Sequence, residues 1–181
     1  QSIRTLNPGF TQPERLQLLR LFVAGPNVGD GKRTTRMEEA IQDKLSSIPG
    51  VTSAAFGSAM PLEGYGPNLG VMNFGAIHTD DPRDSGSDTP PVRVFKYASP
   101  GFFRTAGTRL IAGREITWTE VYDLRPLVLI SENLARELWG TPAAAIGKRL
   151  RQDPGMPWHE VIGVVQDVHE SALYEPAPPI V

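Results

Sequence analysis

Residues 32–50, KRTTRMEEAIQDKLSSIPG, constrain the fold more than any other stretch of the chain. Met37, Ala40, Ile41, Leu45 and Ile48 recur at helical spacing and form one apolar stripe. Glu38, Glu39, Gln42, Asp43 and Lys44 occupy the other face, which is expected to meet solvent. Pro49-Gly50 stops the helix. The apolar run RLQLLRLFVAG, 15–25, precedes it and closes on Gly25-Pro26, so it reads as a buried strand. VTSAAFGSAMP, 51–61, follows and reads as a strand of small residues, which lets another element approach closely. Together these predict a strand–helix–strand unit over 15–61.

Further strands are expected at 69–78, interrupted by glycine, and at 92–98, 108–116, 127–130, 145–151 and 158–168. Helices are expected after Ser99-Pro100 and from Ser131, each serine capping the first free N–H groups, with Gly107 and Gly140 as stops. The expected class is α+β, with mixed sheets and three short to medium helices. A length of 181 residues suits one domain or two intimately joined subdomains, and such a chain can fold without disulfide or metal.

Composition narrows the chemistry. Cysteine is absent, which removes thiol catalysis, cysteine-based zinc sites and disulfides. A net charge of -2 gives no electrostatic case for nucleic acid or anionic membrane. No apolar run reaches the ~18 residues of a membrane span.

Local motifs supply no positive catalytic or cofactor signal. GPNVGDGKRTT, 25–35, sits where a phosphate loop would, between strand and helix. Its glycine spacing is one residue too long, Pro26 lacks the N–H a phosphate needs, and Arg33 replaces the hydroxyl. His78, His159 and His169 lie far apart with no metal-binding spacing. A zinc site would have to assemble in space with Asp80, Asp81 or Asp167, and ordinary strand or surface histidines are the favoured reading. DDPRDSGSD, 80–88, lacks the EF-hand pattern. FGSAM, 56–60, lacks the second glycine of a nucleophile elbow. In YASPGFFRTAGTRLIAGREI, 97–116, Ser99 is assigned to a helix cap rather than to chemistry. Arg104 and Arg109 are expected in solvent, and Arg114 is expected to anchor a turn or an acidic partner. No catalytic, cofactor-binding or metal residues are assigned.

The order of the pieces is more specific than any one of them. NPGF lies near the start, and IPGVTSAAFGSAMPL follows the long helix. VFKYASPGFFRTAGTRLIAGREIT, PLVLISENLARELWG, AAAIGKRLR and WHEVIGVVQDVHESALYEPAPPIV follow in turn. This succession resembles the MacB-like periplasmic core domain of ABC-transporter permeases, with the duplicated, unfused permeases of acidobacteria and related soil bacteria most similar. The resemblance covers nearly the whole chain and is weakest over 62–89.

The resemblance implies a single core domain over 1–181. It implies a small porter-like α/β subdomain, from 12–61 and the C-terminal strand region 158–181, and a more β-rich subdomain inserted at 62–157. It implies a position on the periplasmic face of the bacterial inner membrane, between two spans of a permease, with both ends near each other. The implied role is non-enzymatic: coupling ATP hydrolysis to periplasmic movement for export or efflux. The implied partners are a separate ATP-binding subunit, a second permease copy and, in some assemblies, a periplasmic adaptor. Competing readings from the residues alone are a soluble α/β enzyme domain with an unrecognised site and a cell-surface ligand-binding module.

Overall fold

The computed structural model describes residues 9, 11, 13–21, 31–59, 62, 73–81, 91–170 and 172–181. Strand β7 (His159–Val165) organises them. Its run of β-branched residues suits a strand covered on both faces, and Val161 to Val165 are all buried. β5 (Leu127–Ser131) runs parallel along one edge. On the other edge β6 (Arg149–Arg151) pairs antiparallel with the start of β7, and β4 (Leu110–Gly113) with its end. β2 (His78–Thr79) extends the sheet beyond β6. A separate antiparallel pair joins β1 (Asn73–Ala76) to β3 (Val92–Phe95), and Ile180 makes a parallel bridge to Val94.

The described residues carry five α-helices: α1 (Gly31–Ser46), α2 (Phe102–Ala106), α3 (Trp118–Tyr122), α4 (Glu132–Trp139) and α5 (Pro142–Ala145). The fold is α+β, as expected. α4 leaves β5 directly and lays Leu134 and Ala135 on the sheet. There they meet Ala145 of α5 with Ile77, Ile130, Leu150, Val161, Val164 and Val181 in one core. Because β5 and β7 are parallel, the chain must cross over between them, and α4, α5 and β6 make that connection. β7, from the 158–181 region, is thereby bonded into a sheet whose other strands come from 78–151.

The unit expected over 15–61 is not built as the sequence suggested. Residues 16–21 form no strand, and Leu18, Leu19 and Leu21 are 54%, 66% and 54% exposed. Residues 22–25 lie outside the described residues. Residues 51–56 form no strand either; Gly57 alone bridges to Ala98, where the ring of Phe102 fills the space a Cβ would need. The helix exists, but its polar face does the anchoring. Tyr97 Oη donates to Glu38 at 2.6 Å, and Tyr122 Oη donates to Glu39. Gln42 Nε2 donates to the Pro100 carbonyl at 3.2 Å. The physical reason is that no described strand receives the apolar stripe, while two tyrosine hydroxyls meet the carboxylates. Ala40 and Ile48 of that stripe stay exposed.

Ser99 does not cap α2. The cap position is Gly101, at φ 82°, with no side-chain cap bond. Ser99-Pro100-Gly101-Phe102 is a type II turn instead: the Phe102 N–H donates to the Ser99 carbonyl at 3.1 Å, and Gly101 supplies the positive φ. The buried Ser99 hydroxyl accepts from the Phe56 N–H at 2.8 Å and donates to Gln42 Oε1 at 3.2 Å. Ser99→Ala is therefore expected to cost about 1–2 kcal/mol by stranding the Phe56 N–H. Urea denaturation checks this, and a midpoint equal to wild type would mean that water replaces the hydroxyl.

Ser131 likewise makes no cap bond. Its hydroxyl accepts from the Ile180 N–H at 2.9 Å and donates to Asn133 at 2.6 Å. The first N–H groups of α4 are met by Asp167, bound to the Asn133 N–H at 2.8 Å, and by Asn133 itself. Gly107 and Gly140 do end their helices, both at positive φ.

Candidate functional site

A cavity of about 460 Å³ lies against β5. No residue of α4 or α5 lines it, whereas Phe102 and Phe103 of α2 and Val121 of α3 do. It runs along the whole of β5 and reaches Ile130 and Val181 at the margin of the α4 core. The two phenylalanines are set edge to face, 5.5 Å apart, which fixes their rings as one wall. α2 can place both there because the type II turn starts it and Gly107 stops it within two turns.

Beside the cavity, the chain builds a charged cluster on α3. Thr117 and Glu120 form a reciprocal capping box. Arg114 clamps the same carboxylate with two bonds, of 2.6 and 2.8 Å, and Arg125 lies 3.6 Å from it. Arg114 thus anchors an acidic partner, as expected; Arg104 and Arg109 are exposed. The bonds from Arg114, helped by Thr117, outweigh burial and hold the Glu120 carboxyl down at about 2, below its ordinary 4.5.

This depression fixes a sign. A carboxyl whose folded pKa lies below its unfolded one stabilises the fold fully above about pH 4.5 and loses that contribution as pH falls toward 2. Glu120→Gln is expected to cost about 2 kcal/mol at pH 7 and little near pH 2. Thermal melts of both proteins across that range check it. A gap independent of pH would place the effect in packing rather than in charge.

On the far wall, Lys96 lines the cavity and pairs with Glu170, whose side chain is almost wholly buried. Burial raises the Asp167 carboxyl above its ordinary range, partly opposed by the Asn133 N–H. Hydrogen bonding to Glu39 raises the Tyr122 hydroxyl, and burial with the bond to Glu38 raises that of Tyr97.

The sequence-level candidates are dispersed. His78 is on β2, His159 is on β7, and His169 Nδ1 lies 2.7 Å from the Glu175 carbonyl oxygen. Asp80 holds Arg149 Nε at 2.9 Å, and Asp167 serves α4. Among the described residues no group of three or more metal-ligating side chains comes together. Ser58 Oγ accepts from the Tyr97 N–H at 3.1 Å, as part of the Gly57–Ala98 bridge. Most of the phosphate-loop candidate, 25–30, and most of the aspartate loop, 82–88, lie outside the described residues. Glu120 was missed from sequence, although Thr117-x-x-Glu120 carries the capping-box signature. The Lys96–Glu170 pair has no local signal, because its members are far apart in sequence.

Residues 9–176 match the family model described as the MacB-like periplasmic core domain. The chain belongs to this family. The match places the chain on the extracytoplasmic side, as a periplasmic domain of the MacB-like ABC-transporter permease family. Curated proteins give no match.

Three solved structures are similar to this MacB-like core. One is a domain of a permease protein from Porphyromonas gingivalis, at 22% identity and TM-score 0.45, covering 78% of this chain and 50% of that one. Another is the periplasmic region of MacB from Actinobacillus actinomycetemcomitans, at 14% and 0.48, covering 78% and 60%. The third is the extracellular domain of the noncanonical ABC-type transporter YknZ from Gram-positive bacteria, at 16% and 0.48, covering 79% and 59%. The chain spans between half and three-fifths of these structures. Among the described residues no helix is long and apolar enough to cross a membrane.

Proposed function

We propose that the chain is a non-catalytic extracytoplasmic domain of an ABC-transporter permease. In this reading it converts ATP hydrolysis by a separate cytoplasmic subunit into periplasmic movement, for export or efflux, in a permease that works as a pair. The family match across 9–176 carries the reading. The way both ends of the described chain are tied down supports it. Gly9 is buried against the Asp167 carbonyl and Val168, Asp167 holds the start of α4, and Ser131 at that same start holds Ile180. The two ends thus meet on one knot, which suits a domain moved through two adjacent connections.

Pulsed electron paramagnetic resonance on the permease with its ATPase tests this. The 181 residues hold no cysteine, so with any cysteine elsewhere in the assembly replaced, Arg104→Cys and Lys148→Cys provide label sites at exposed positions. The distance between copies is expected to change when vanadate traps ATP hydrolysis. Unchanged distances would overturn the coupling, and tight nucleotide binding by the 181-residue chain alone would overturn the division of labour.

A further inference from the structure

The cavity has a chemical bias that the transport reading does not use. Lys96, Arg125 and His159 line it, and among the described residues no acidic one does. Lys96 is held by Glu170. Arg125 pairs with Glu120 at 3.6 Å but shares that carboxylate. Glu120 already takes two bonds from Arg114 and two from Thr117, so one carboxylate serves two guanidinium groups, and the Arg125 side chain stays 53% exposed. Exposed Glu160 acts on Arg114 but does not line the cavity.

Leu124 gives a second, independent indication. It follows the C-cap Asp123 of α3 at φ 51°, in the left-handed region where glycine serves best. Leu124 lines the cavity and is 71% exposed. The fold thus holds an apolar side chain at the cavity mouth in a conformation that works against it, and strain of this kind gathers at binding sites.

We propose that the cavity binds a single-chain amphiphile with an anionic head group, the tail against Phe102, Phe103 and Leu129 and the head on Arg125. The volume lies within the range of about 300–1,000 Å³ usual for small-molecule sites, and apolar walls with few polar groups are the usual lining. The charge at the rim selects the head: Lys96 and Arg125 line the cavity while among the described residues no acid does, and Glu120, 3.6 Å from Arg125, is shared with Arg114. This inference concerns the chain itself and does not depend on coupling to ATP.

Titration of the 181-residue chain with decanoate, decanol and decylamine, each below its aggregation threshold and followed by nuclear magnetic resonance, tests it. Decanoate is expected to bind saturably at one site. Decanol should bind roughly tenfold more weakly, the loss of one charge-assisted contact, and decylamine more weakly still. Arg125→Gln should bring decanoate down to the decanol level. Leu124→Gly should weaken all three while raising the melting temperature, an outcome that misfolding cannot produce. No decanoate binding, equal binding of all three, or binding that neither variant alters would overturn the proposal. The last result would assign the amphiphile to another apolar surface, such as Leu18, Leu19 and Leu21.

Discussion

Lys96→Met should destabilise the chain by about 3–5 kcal/mol at neutral pH, and adding Glu170→Leu should restore most of the loss. The pair sits where solvent barely reaches: the Glu170 side chain is 1% exposed and that of Lys96 is 13%. Methionine matches Lys96 in length as far as Cε, with sulfur in place of one methylene, and removes the ammonium group. The Glu170 carboxylate then loses the ammonium charge and must either stay charged beside an apolar neighbour or take up a proton. Both cost free energy, which is why removing one member of a buried pair costs more than removing both. The backbone of Lys96 is held independently, its N–H donating to the Val181 carbonyl at 2.9 Å, so the substitution should not detach the C-terminal segment. Urea denaturation of the two single variants and the double variant at pH 7 measures the coupling. A Lys96→Met loss below about 1 kcal/mol would mean that the carboxylate finds water, and that this wall is wetter than the structure implies.

What the sequence made legible divides by the range of the interaction. β7 and α4 were readable because each carries its own pattern: a β-branched run between turn signals, and an apolar face closed by Gly140. Gly107 was readable for the same reason, since a left-handed stop is a local requirement. The two serines were misread because a hydroxyl before a helix predicts a cap only if nothing more distant claims it. Phe56 and Gln42 claim Ser99, and Ile180 claims Ser131. α1 failed in a different way. Its periodicity was correct, but the tyrosines that meet Glu38 and Glu39 lie 59 and 83 residues away, and nothing in the helix marks those glutamates as contacts. The cavity was not legible at all, because its walls come from segments between residues 59 and 181 that only the fold brings together.

Gly113→Ala is expected to cost about 3 kcal/mol or more, although it adds a single methyl group. Two penalties act together. Gly113 has φ 73°, where a side chain itself costs about 1–2 kcal/mol. A Cβ there would also stand 2.1 Å from the Ile162 carbonyl oxygen, which is backbone of the central strand and cannot swing aside. β4 would have to move away from β7, breaking the bond of 2.9 Å from the Arg114 N–H to that same carbonyl. Arg114 would then be drawn from Glu120, so the variant should also lose the stability difference between pH 7 and pH 2 that the depressed carboxyl confers. Gly140→Ala is the control. Its φ is 80°, but nothing lies within 4 Å of the added atom, so only the backbone penalty of about 1–2 kcal/mol applies. Equal losses in the two variants, measured by urea denaturation, would show that β4 is not seated against Ile162. A larger loss for Gly113→Ala, joined to a flattened pH profile, would explain why a glycine must precede Arg114: it is the one residue that lets the strand lie close enough to deliver the guanidinium to Glu120.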